Sequence, residues 1–134
     1  MSKSLLLADD NALARRLIRS LLATRFEGDM CAEAADGVEA VEKAKAVHPD
    51  VAILDIVMPL LNGVDAARQI VQNSPKTAVL VISAHDPRPI LRRIVEAGAR
   101  GFVSKSSMDV ELIPAIEALL EGRTYFGLEP SPAG

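Results

Sequence analysis

Short apolar runs alternate strictly with stretches of helical spacing along this chain, and few folds accept that order. The runs are 5–8, 30–34, 51–54, 78–82 and 102–103. Between them, 12–25 sets Leu13, Leu17 and Leu21 on one stripe with Ala14, Ile18 and Leu22 beside it, leaving Arg15, Arg16 and Arg19 facing out. Val38, Val41 and Ala44 mark a second helix. It stops at His48-Pro49, because the residue before a proline is pushed out of the helical region. Helices over 63–72, 89–97 and 109–120 follow, the last two closed by Gly98 and Gly122. Continuous apolar strands alternating with helices imply a parallel sheet covered on both faces, and right-handed crossovers leave few topologies. The expected fold is α/β: a doubly wound, five-stranded parallel sheet of flavodoxin-like (βα)5 type, one domain over 1–125. Residues 126–134, with Pro130, Pro132 and Gly134, read as a tail or the start of an interdomain linker. Pro114 inside the last helical pattern predicts a kink or a late helix start, whereas Pro89 suits a first turn.

Composition removes several function classes. Lys plus Arg is 15 against 18 Asp plus Glu, a net charge of −3, so no basic field awaits nucleic acid. The lone Cys31 excludes an intrachain disulfide and reads as a small buried hydrophobe. One Cys and two His cannot build an ordinary zinc site. No signal-type segment or membrane-length apolar run is present, so the expectation is a soluble cytoplasmic domain without membrane contact.

In an open parallel sheet, ligands bind beyond the carboxyl ends of the strands. Those ends carry Asp9-Asp10, Asp55, Ser83 and Ser104-Lys105. Two carboxylates about 4 Å apart repel by roughly 4 kcal/mol at an effective dielectric of about 20. A hard divalent cation relieves that repulsion, and Mg²⁺ pairs with one or two carboxylates and a phosphoryl group. Lys105 adds a positive charge for anionic oxygen and Ser83 a small hydroxyl donor. The set suits phosphoryl transfer to a carboxylate, with Asp55 as the nucleophile.

The motifs Leu-Leu-Leu-Ala-Asp9-Asp10-Asn11, Asp55-Ile-Val-Met-Pro59-Leu-Leu-Asn-Gly63, Val-Ile-Ser83-Ala-His85 and Gly98-Ala-Arg-Gly-Phe102-Val-Ser-Lys105 together resemble the receiver domain of bacterial two-component response regulators. The resemblance covers about residues 3–125. The Gly-Ala-Arg-Gly-Phe and Arg-Thr-Tyr-Phe segments look most like receivers of LuxR-type (NarL/FixJ-like) regulators. It implies Asp55 as the acceptor of a phosphoryl group from a sensor histidine kinase. It further implies Asp10 as direct Mg²⁺ ligand with Asp9 its companion, and the Val57 backbone carbonyl as a further ligand. Ser83 and Lys105 would bond the phosphoryl group, and Phe102 would rotate inward as Ser83 moves. Val57 and His85 occupy positions that tune dephosphorylation. A second copy of the chain and a C-terminal or separate output domain are the further partners implied, with control of transcription. The chain departs from the common pattern at Ser106, where many members have a cis-proline, and at Phe102, where Tyr is commoner.

Such a chain is a signalling switch rather than an enzyme, working through the surface of its fourth helix, fifth strand and fifth helix. Two rivals stand beside it. One is a degenerate receiver serving as a phosphorylation-independent interaction module. The other is an aspartate-nucleophile phosphatase, which typically needs a second Asp where this chain has Val57.

Overall fold

The computed structural model describes residues 3–26 and 29–127, with only the backbone of Met30 and Cys31. The burial expected of Cys31 and the tail reading of 128–134 therefore lie outside the described residues. Strands β1 (Leu5–Ala8), β2 (Met30–Ala34), β3 (Val51–Asp55), β4 (Ala78–Ser83), β5 (Gly101–Ser104) and β6 (Tyr125–Phe126) form one parallel sheet, ordered β2-β1-β3-β4-β5-β6. Helices α1 (Ala12–Phe26), α2 (Gly37–Val47), α3 (Gly63–Asn73), α4 (Leu91–Glu96) and α5 (Met108–Leu120) cover its faces. The chain runs outward from β1 to β2 and returns to β3 on the other side of β1, so strand order reverses between β1 and β3. Asp9 and Asp55 stand at that crevice. None of the described helices is long and apolar enough to cross a membrane.

Strand side chains alternate between two core layers. Leu6, Ala8, Leu54, Val79, Val81 and Phe102 pack with α2, α3 and α4 residues such as Ala40, Ile70 and Ile94. Leu5, Leu7, Ile53, Leu80, Ile82 and Val103 pack with Ile18 and Leu22 of α1 and Leu112 and Ile116 of α5. Helices α2 and α3 start on side-chain caps: Asp36 accepts from the Glu39 N–H ahead of α2, and Asn62 from the Asp65 N–H ahead of α3.

Four details differ from the sequence expectation. A sixth, two-residue strand extends the five expected. The helix expected over 89–97 is a 3-10 turn (Arg88–Ile90) followed by six helical residues (Leu91–Glu96), with Ile90 at φ −119° and ψ 11° breaking the helical run between them. Pro114 does not delay α5, which is helical from Met108. Pro114 and Val110 are both exposed, so water can meet the carbonyl that the proline cannot. Leu13 and Leu17 stay 62% and 57% exposed, because α1 buries the Ile18–Leu22–Phe26 side of its wide apolar stripe.

A polar relay ties the ends of α2 and α3 to the start of β4. Thr77 Oγ1 donates to the Pro49 carbonyl at 2.7 Å and lies 2.7 Å from Ser74 Oγ, which lies 2.9 Å from His48 Nδ1. The carbonyl accepts only, so Thr77 spends its proton there, Ser74 donates to Thr77, and His48 must carry its proton on Nδ1. Thr77→Val strands two buried partners and should lower stability by about 1–3 kcal/mol. An unchanged urea midpoint would contradict the relay.

Candidate functional site

Asp9 follows the last residue of β1, Asp55 ends β3, and Lys105 follows β5 as the first residue of a 3-10 turn (Lys105–Ser107). Lys105 Nζ donates to Asp9 Oδ2 and to Asp55 Oδ2, both at 2.8 Å. Asp10 adds a third, exposed carboxylate, and one oxygen from each of Asp9, Asp10 and Asp55 lies within 4.8 Å of the others. Asp9 is fully buried. Its Oδ1 accepts the Asn11 N–H at 2.9 Å, and its backbone carbonyl accepts from Arg15 Nη1 at 2.6 Å. Asp55 Oδ1 accepts the Val57 N–H at 3.3 Å.

The loop after Asp55 is held by a close approach. The Gly63 N–H donates to the Ile56 carbonyl at 2.7 Å, and a Cβ at position 63 would stand 2.2 Å from the Asp55 carbonyl oxygen. Only glycine lets α3 begin this near the end of β3.

Burial pushes the Asp55 carboxyl above its ordinary value of 3.8. The hydrogen bond from Lys105 pulls the other way, and the neighbouring Asp9 charge adds to the rise. For Lys105, burial pulls the ammonium down, but its bonds to Asp55 and Asp9 and their charges outweigh that, so it is held above its ordinary value. This is a site short of positive charge: one ammonium serves three carboxylates.

Among the other expected residues, Val57 reaches this centre through its backbone N–H, and no side-chain bond joins Ser83, His85 or Phe102 to it among the described hydrogen bonds. Ser83 ends β4, buried, and its Oγ accepts the His85 N–H at 3.0 Å. Ser83 pairs in register with Ser104, the residue before Lys105. His85 is exposed in the loop after β4. Val57 is 60% exposed, so its side chain meets solvent beside Asp55. Phe102 is 1% exposed, its ring within the core. The Lys105–Ser106 peptide is trans.

Residues 5–117 match the family model described as the response regulator receiver domain. The chain belongs to that receiver family. Among its relatives, DegU of Brevibacillus brevis, a transcriptional regulatory protein, is 35% identical over 90% of this chain. NreC of Staphylococcus epidermidis, an oxygen regulatory protein, is 34% identical over 93% of it. The receiver spans 51% and 58% of those two proteins, about half their length. The chemotaxis protein CheY of Thermotoga maritima is 33% identical, with 87% of this chain matching 96% of it. In three dimensions the receiver resembles a LuxR-family response regulator from Aurantimonas sp. SI85-9A1, with TM-score 0.87, 34% identity and coverage of 99% of this chain and 92% of that one. It also resembles the receiver domain of NarL from Mycobacterium tuberculosis, with TM-score 0.83, 35% identity and coverage of 91% and 98%.

Two contributors escape a reading of the sequence alone. Arg15 looks like part of a solvated helix face, yet it clasps the Asp9 backbone and pairs with Glu33 at 3.3 Å. Its place one turn into the helix that follows Asp9 was the available signal. Gly63 reads as the first residue of a helix, and nothing local tells that the Asp55 carbonyl lies against it.

Proposed function

We propose that this receiver takes a phosphoryl group onto Asp55 from the phosphohistidine of a sensor kinase, and that the modified domain controls an output domain or a partner. The observation that carries the reading is the bridged cluster: Lys105 bonded to both Asp55 and Asp9, with Asp10 alongside. The donors are all oxygen and carry excess negative charge, which fits Mg²⁺ rather than a softer ion. Asp10, Asp9, Asp55 and the Val57 backbone carbonyl would hold it. When bound, the ion supplies charge neutralisation for the carboxylates and the phosphoryl oxygens.

The chain's own groups divide the work. An Asp55 carboxylate oxygen attacks phosphorus as the phosphorus–nitrogen bond of the donor breaks, and the electron pair leaves with the imidazole nitrogen. Lys105 already donates to Asp55 and is placed to follow the new anionic oxygens. Ser83 Oγ offers a second donor once it releases the His85 N–H. Phe102 is the proposed packing partner of that move, and Val57 and His85 set the access of water to the acyl phosphate. The charge at Asp55 would then shift a pre-existing equilibrium of the surface built from α4, β5 and α5, and that surface would meet a second copy or an output domain. Residues 1–125 would form the receiver, with 126–134 leading onward.

The test is incubation with acetyl phosphate and Mg²⁺, followed by mass spectrometry of the intact chain and its Asp55 peptide. One added phosphoryl group, dependent on Mg²⁺, is the expected result. No labelling together with no Mg²⁺ binding in a titration would favour the interaction module. Turnover of a generic phosphoester would favour the phosphatase, against which Val57 stands.

A further inference from the structure

The receiver family model matches residues up to 117, and the chain continues beyond it. After α5 it turns at Gly122 and lays Tyr125–Phe126 along the edge of β5 as β6. The Tyr125 N–H donates to the Arg100 carbonyl at 3.0 Å, and the Gly127 N–H to the Phe102 carbonyl at 2.8 Å. Tyr125 O–H donates to Glu111 Oε1 of α5 at 2.9 Å. The two strap side chains take opposite faces: Tyr125 packs on the α1/α5 core layer and Phe126 on the layer that contains Phe102. The approach is close enough that a Cβ at Gly101 would stand 2.6 Å from the Tyr125 carbonyl oxygen.

The strap thus has two anchorages, the backbone of β5 and the Glu111 carboxylate on α5. Between them lies one corner of chain, 104–108, and Lys105 is in it. Gly127 also borders the depression over Phe102 that the loop following Ser83 lines through His85 and Pro87. Of the two donors placed to follow a phosphoryl group, Lys105 thus lies on the connection between the two anchorages, and Ser83 precedes a loop that shares a depression with Gly127. We infer that residues 125–127 are a releasable strap: drawing Lys105 and Ser83 toward a phosphoryl group on Asp55 displaces β5 relative to α5 and frees the strap from its two anchorages. This rests on Asp55 being the phospho-acceptor. A two-residue strand held by so few bonds belongs to the low-stability end of a fold, where small displacements change populations. The path of the chain beyond Gly127 would start from a different direction in the two states.

Tyr125 is the only tyrosine and the chain has no Trp, so its fluorescence reports the strap alone. Burial and the Glu111 carboxylate both hold its phenol above the ordinary value of 10.0, a second optical handle. The experiment loads the full chain with beryllofluoride and Mg²⁺, follows loading by fluorine NMR, and reads Tyr125 emission and amide exchange at Tyr125 and Gly127. Loading should speed exchange at both amides by about fivefold or more and change Tyr125 emission. By reciprocity, Glu111→Ala should tighten beryllofluoride binding by a similar factor, about fivefold. A loaded protein with unchanged Tyr125 emission and exchange, or with slower exchange, overturns the strap and leaves the phospho-acceptor reading standing. Absence of loading overturns both.

Discussion

Asp55→Asn should cut phosphoryl incorporation from acetyl phosphate by a factor of at least about 10³, because the amide removes the anionic oxygen that attacks phosphorus. The same change should stabilise the metal-free fold by on the order of 1 kcal/mol, since it relieves a buried carboxylate that faces Asp9 and shares its one ammonium. The sign follows from linkage. The fold raises the Asp55 carboxyl above 3.8, so it favours the neutral form. The stability this gives is fully present below the unfolded-state value and is lost as pH rises through the folded-state value. Wild-type stability should therefore fall across that window while the Asn variant does not, and Mg²⁺ should close the gap at neutral pH. Thermal melts of both proteins at several pH values, with and without Mg²⁺, measure it. A variant no more stable than wild type at neutral pH without metal would contradict the electrostatic account.

Lys105→Ala removes the one cation that, among the described residues, is hydrogen-bonded to the Asp9 carboxylate, which is fully buried. Breaking a buried pair by deleting one partner typically costs about 3–5 kcal/mol. A loss of about 3 kcal/mol is expected here, because Asp55 can take up a proton and Asp10 is open to water. The loss should grow with pH and shrink on adding Mg²⁺, the reverse of the response expected from a packing defect. Lys105→Arg should restore only part of it, since a planar guanidinium does not fit the place of a compact ammonium shared by two carboxylates. Urea denaturation of the three proteins decides the matter; a loss under about 0.5 kcal/mol for the Ala variant would mean that the bridge has little weight.

The architecture was legible because strands buried on both faces leave unbroken apolar runs, and 5–8, 51–54 and 78–82 are such runs. Asp9, Asp55 and Ser83 were legible for a related reason: each is the first polar residue where such a run stops, and Lys105 stands one residue further on, after Ser104. β6 was not, since Tyr125 and Phe126 have no periodicity and their strand character comes from the edge of β5 that receives them. Nor was the exposure of Leu13 and Leu17, because a stripe tells which side of a helix is apolar and not how much of it the sheet can reach. Arg15 and Gly63 depend on contacts with chain that no local pattern specifies.

The alternation of the strands has one more consequence. Counting along β3 and β4, Asp55 shares its parity with Val51 and Ile53, on the side of α1 and α5, whereas Ser83 shares its parity with Val79 and Val81, on the side of α2, α3 and α4. The sheet is thus a partition, with the proposed phospho-acceptor assigned to one room and the proposed hydroxyl donor to the other. No side chain passes through a hydrogen-bonded sheet, so the two groups can meet directly only beyond the carboxyl ends of the strands, where Lys105 also stands.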